Sequence, residues 1–176
     1  MNPALKALLL NLPYIPEAEL IAYVRDEYIE MYTDTDTPSG RRGELTTHDG
    51  ETVVFYEDRF EHAFFTSAFK TSRKFNKDAF DRKRAERLPW IGEVLRGRVE
   101  QVAAWHLPTE RKDAEGRPLT KRLYVLWEEH YVIWLEPLIR EGKWKFSSAY
   151  VEPRGRPYLR TLTAGGLCFW RQKNIP

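Results

Sequence analysis

The sequence predicts an α+β domain, with N-terminal helices packed on a C-terminal antiparallel meander sheet. Three observations carry that expectation. Helical periodicity is confined to the first part of the chain. LYVLWEE, HYVIWLEPL and KWKFSSAYV follow one another in the last third with very short links, as adjacent antiparallel strands do. A hydrophobic content of 42% in 176 residues supplies one sizeable core.

Taken in order, Leu20, Tyr23, Val24, Ile29 and Met31 recur at roughly helical spacing from Pro16 to about Tyr32. Pro16 suits a first turn, and Glu17 and Glu19 suit the positive end of a helix. TDTDTPSGRRG reads as a loop, and ETVVFYE as a strand after the Asp49-Gly50 turn. Residues 58–75 are ambiguous, with Phe60, Phe64, Phe65 and Phe69 at near-helical intervals. Asn76 suits the N-cap of a helix carrying Arg84, and Pro89 marks a break or a new helix start. RVEQVAAW reads as a strand, PTERKDAEGRP as a polar loop, and Arg140-Glu141-Gly142 as a hairpin loop. PYLRTLTAGGLCFWR reads as a last strand-type segment interrupted by two glycines.

The net charge of +2 conceals an asymmetry. Residues 1–69 hold 5 Lys/Arg against 13 Asp/Glu, net −8, and residues 70–176 hold 23 against 13, net +10. The cations crowd into KTSRKFNKDAFDRKRAERL, residues 70–88. Such a division points to a polyanionic partner for the basic part, or to neutralisation of one half by the other. It also divides the single domain into an acidic helical segment, 1–51, and a basic core, 52–176.

The lone Cys168 excludes an internal disulfide framework, and histidines 48, 62, 106 and 130 lack paired metal-ligand spacing. No phosphate-binding glycine loop, HExxH or GxSxG occurs. The expectation is therefore no metal and no cofactor. MNPALKALLLNLP is interrupted by Asn11 and Pro13, and no stretch reaches the roughly 20 apolar residues that span a bilayer. A cytoplasmic protein with no membrane association is expected. The remaining inventory of His, Arg, Lys and hydroxyl groups suits RNA cleavage by transesterification.

The run EHAFFTSAFKTSRKFNKDAFDRKRAERLPWI, followed by strands and FSSAYV, resembles the phage-associated group of the Barnase–EndoU–ColicinE5/D–RelE-like (BECR-fold) nucleases over about residues 52–151. The resemblance implies a metal-independent endoribonuclease of phage or mobile-element type, toxin-like, with RNA as substrate and an inhibitor or immunity protein as partner. It places the catalytic set at His62 in EHAF, Arg84 in KRAERL and Ser148 in SSAY, the last standing where Thr is expected.

Each position has a structural alternative. His62 sits among phenylalanines and could be a core histidine. Arg84 lies between Phe80 and Leu88 at four-residue spacing, so it either faces a cleft or meets an acid. Arg87 could share its side. Lys70, Arg73, Lys74 and Lys77 would steer RNA or form a solvated face. Strict alternation puts Trp144, Phe146, Ser148 and Tyr150 on one face of their strand, and Lys143, Lys145 and Ser147 on the other. Periodicity thus favours Ser147 as the active hydroxyl, whereas the resemblance favours Ser148. His130 is the second acid–base candidate, with His106 a turn or surface residue. Tyr150, Trp127 and Trp134 could stack on a base or fill the core. Two non-enzymatic readings stand beside the nuclease: a nucleic-acid-binding module of the same fold, and a protein–protein adaptor.

Overall fold

In the computed structural model the described residues are 1–66, 79–172 and 175. They form a mixed α+β fold in which six helices flank a mostly antiparallel eight-stranded sheet.

The chain opens with α1 (Pro3–Ala7), whose first turn is capped by the Asn2 side chain. Helix α2 (Glu17–Tyr32) buries Leu20, Val24, Tyr28 and Tyr32, one stripe at four-residue spacing. TDTDTPSGRRG is not a loop. It forms a hairpin of β1 (Thr35–Thr37) and β2 (Gly40–Thr46), and β3 (Thr52–Tyr56) pairs next to β2. The threonines there are strand formers whose outer face is solvated, so polarity alone misleads. Helix α3 (Arg59–Phe64) follows. After the short pair β4 (Phe65–Thr66) and β5 (Ala79–Phe80) come α4 (Arg82–Glu86) and α5 (Leu88–Leu95). Asp81 caps α4 through the Arg84 amide; Asn76, expected as the cap, lies outside the described residues.

The meander is present as β6 (Val102–Lys112), β7 (Pro118–Leu126), β8 (Tyr131–Leu138) and β9 (Lys143–Val151), each antiparallel to the next. The expected loop PTERKDAEGRP is mostly the extended ends of β6 and β7 around a tight turn. The last segment departs further from expectation. Gly155–Thr163 is helix α6, and only Leu167–Arg171 is a strand, β10. Buried Leu159 and half-buried Leu162 mark its inward face.

Strand order is β1-β2-β3-β9-β8-β7-β6-β10. Along β6, Val102 and Ala104 face one side, whereas Ala103, Trp105 and Leu107 face the other. Helices α1, α2, α3 and α5 cover the first side, and α6 covers the second. Residues 1–51 contribute Leu5, Leu20, Val24, Tyr28, Tyr32 and Leu45 to the main core, so the acidic segment is part of the fold. Its acids also neutralise the later cations directly. Glu44 pairs with Lys143 at 2.7 Å, and Asp49 with Arg122 at 2.9 Å.

Candidate functional site

The site grows out of an irregularity in β9. Trp134 pairs with Ser148 and Leu135 with Phe146, which leaves Ser147 as an extra residue. This β-bulge puts two residues opposite one and resets the alternation. Before it, Trp144 and Phe146 face the helical core. After it Ala149 takes that side, and Ser148 and Tyr150 face the opposite surface. Strict alternation therefore fails at Ser147, and the choice between the two serines dissolves: both line one open cleft of about 900 Å3.

That cleft lies on the α6 side of the sheet. β9 supplies Ser147, Ser148 and Tyr150; β8 supplies Trp134 and Glu136; β7 supplies Lys121; α6 supplies Tyr158 and Thr161. β3 pairs with β9 only at Val53–Trp144 and Val54–Lys145, so the far half of β9 is left to α3 and α4, which pack there. From that position His62 reaches the cleft as an exposed side chain, while Phe60 and Phe64 of the same helix are buried. The core-histidine alternative for His62 does not hold.

Arg84 stands behind this wall. Its guanidinium is 4.9 Å from the Tyr150 ring centroid, its Nη1 donates to the Ala63 carbonyl at 3.1 Å, and its Nε lies 3.2 Å from Asp81 Oδ2. Burial lowers its pKa, with Asp81 and Tyr150 opposing. The expected acid partner is thus real, but it is the cap of Arg84's own helix. Tyr150 is in turn held by Trp134, whose Nε1 donates to the tyrosine oxygen at 3.3 Å. Burial raises the Tyr150 pKa, so the phenol is neutral at pH 7.

Three charged side chains of the cleft, Glu110, Lys121 and Glu136, are absent from the expected set. Glu136 lies between Lys121, at 3.3 Å, and Lys145, at 3.4 Å. Burial would push its carboxyl up, but the two ammonium groups outweigh that and hold it below the usual range. A signal was available. A hairpin centred on Glu128-Glu129 puts Lys121 opposite Glu136, an opposite-charge cross-strand pair.

Other expected residues lie elsewhere. His130 sits in the β7–β8 turn with φ 51°, and is not among the cleft residues. It stands four positions from Trp134, about 13 Å along a strand. Arg87 lies over the Trp90 ring and donates to the Lys83 carbonyl, away from Arg84's contacts. Lys143 pairs with Glu44 and Glu141. Trp127 is buried against Trp105. His106 is no surface residue; its ring packs against Phe169 and Trp144. Lys70, Arg73, Lys74 and Lys77 lie outside the described residues.

Among the described residues no cluster of three His, Cys, Asp or Glu is placed to hold a metal, and no helix is long and apolar enough to cross a membrane. Comparison with protein-family models, curated proteins and solved structures finds no match to this chain.

Proposed function

We propose that this protein is a metal-independent, BECR-like endoribonuclease that takes single-stranded RNA into the α6-side cleft. The observation that carries the reading is the convergence of His62 from α3 with Ser147, Ser148 and Tyr150 from the bulged half of β9. The cleft's volume is that of a small-ligand site, enough for a nucleotide. Trp134, Tyr150 and Tyr158 supply aromatic surface for a base. His62 takes the proton from the ribose 2′-OH, which attacks phosphorus; the 5′-oxygen leaves with a proton from solvent, and a 2′,3′-cyclic phosphate remains. The serine hydroxyls donate to the phosphate oxygens as their charge grows, with Lys121 the nearby cation. Arg84 acts through Tyr150, as a positioning residue.

A non-catalytic RNA-binding module is the second reading. It is favoured by the distance of His130 from the cleft and by the ion pairs that occupy Lys143, Lys145 and Arg84.

The test is cleavage of labelled single-stranded RNA in EDTA by wild type, His62→Ala and Ser148→Ala. The expected result is cyclic-phosphate ends, with His62→Ala slower by roughly 10²-fold or more. Equal cleavage by His62→Ala would refute the catalytic assignment. Binding without cleavage by wild type would select the module.

A further inference from the structure

A second concavity, of about 530 Å3, lies where α2, the β1–β2 turn and the start of α3 meet. Its lining includes Arg25, Arg41, Arg59 and Lys145, four cations against the two acids Glu57 and Asp58. Each arginine has a carboxylate neighbour: Arg25–Glu61 at 3.1 Å, Arg41–Asp36 at 3.1 Å and Arg59–Asp58 at 3.6 Å. Those three acids are 71–88% exposed, so the pairs are screened by solvent and weak. The Nε atoms of Arg41 and Arg59 are the ones that face Asp36 and Asp58; they are buried from solvent, and neither contact has hydrogen-bond geometry. A phosphate would satisfy those guanidinium groups better than the exposed carboxylates do, because guanidinium forks match its oxygens in pairs.

The two concavities share a wall. Lys145 lines the second pocket, and its ion-pair partner Glu136 lines the cleft. Lys145 and Ser148 are three positions apart on β9, roughly 7–10 Å at strand spacing. That is the reach of a nucleotide or two along an extended strand.

We propose that this pocket is a phosphate-binding subsite that holds the backbone of the RNA strand where it leaves the cleft. The inference rests on the reading of the cleft as an RNA site. Specificity for length follows: an oligonucleotide long enough to reach Arg41 and Arg59 binds more tightly than a dinucleotide confined to the cleft.

The experiment measures fluorescence anisotropy with uncleavable 2′-deoxy oligonucleotides of two and six nucleotides, across a salt series. Wild type is compared with Arg41→Gln/Arg59→Gln and, as a second variant, Arg25→Gln; all three side chains are partly exposed, and unfolding midpoints check each fold. For the double variant the expected result is a loss of roughly tenfold on the six-mer, with no change on the dinucleotide. The slope of log affinity against log salt should fall by about 0.7 for each phosphate contact removed. Equal six-mer affinity in wild type and double variant would overturn the proposal. So would a wild type that binds the six-mer no better than the dinucleotide. Cleavage of an RNA dinucleotide reads the cleft alone, so its failure would count against the nuclease reading and leave the length dependence to be judged separately. Competition by inorganic phosphate checks the place: it should weaken the six-mer and leave the dinucleotide unchanged, and equal weakening of both would put the phosphate in the cleft and overturn the strand assignment.

Discussion

Replacing Asp49 by alanine should destabilise the protein by about 3 kcal/mol. Arg122 is only 5% exposed, and its guanidinium lies between the Trp144 ring at 4.7 Å and the Phe169 ring at 4.5 Å. Nη1 donates to Asp49 Oδ2 at 2.9 Å, and Glu51 Oε1 is 3.6 Å from Nη2. Removing one partner of a buried ion pair leaves the other charge desolvated, which costs about 3–5 kcal/mol. Glu51 and the two rings remain in Asp49→Ala, and Asp49 itself is 26% exposed, so the lower end applies. Thr47 also loses the oxygen to which its hydroxyl donates at 2.6 Å. For a chain of this length the expected fall in melting temperature is roughly 6–12 °C, followed by circular dichroism at neutral pH. Adding Arg122→Met should restore more than half of the loss, because the unpaired charge is then gone. A loss under about 1 kcal/mol for Asp49→Ala, or no recovery in the double variant, would refute the reasoning.

Gly43→Ala should be severely destabilising, by about 3 kcal/mol or more, since a Cβ there would run into the Tyr32 carbonyl oxygen and lie 2.9 Å from Thr33 Cα, both backbone; chemical denaturation measures it, and a loss below 1 kcal/mol would mean that α2 does not seat on β2 this closely. His48 and His106 should make the fold acid-sensitive. Burial lowers both pKa values below the ordinary 6.5, against opposing carboxylates and alongside the Arg122 charge. The unfolded chain then binds more protons. The stabilisation is complete above about pH 6.5 and is lost as pH falls from there through the lowered folded values. Denaturation midpoints at pH 7.5 and 5 should differ less in His106→Asn than in wild type. An unchanged difference would remove the histidine from the account.

The meander, α2 and β3 were legible in the sequence because long apolar runs with tight turns leave little choice of element. The bulge was not. An unpaired residue depends on how the neighbouring strand pairs, and nothing in KWKFSSAYV alone marks Ser147 as extra. α6 was misread because PYLRTLTAGG is short and only weakly apolar, so period 2 and period 3.6 fit it almost equally; contact with the second sheet face settles it. At the site, His62, Ser147, Ser148 and Tyr150 were identifiable as candidates, but their meeting required β3 to leave the far half of β9 to α3. Arg84's acid could not be named because the partner, Asp81, belongs to a capping geometry rather than to a distant segment. The charge asymmetry between the two halves is met in part by the pairs Glu44–Lys143 and Asp49–Arg122, which need the sheet's strand order to be seen.

The extra residue in β9 also ties chain length to chemistry. Delete Ser147, and Phe146 is followed directly by Ser148, so the pairings Leu135–Phe146 and Trp134–Ser148 become consecutive. Ser148 and Tyr150 then keep the cleft side and Ala149 keeps the core side. The strand that results is more regular, and it lacks only the second cleft hydroxyl and the local bend. A deletion in the unbulged strand β8 would instead turn every later side chain of that strand to the opposite face. The bulge is therefore a removable insertion, the one place in this hairpin where chain length can change without exchanging core for cleft.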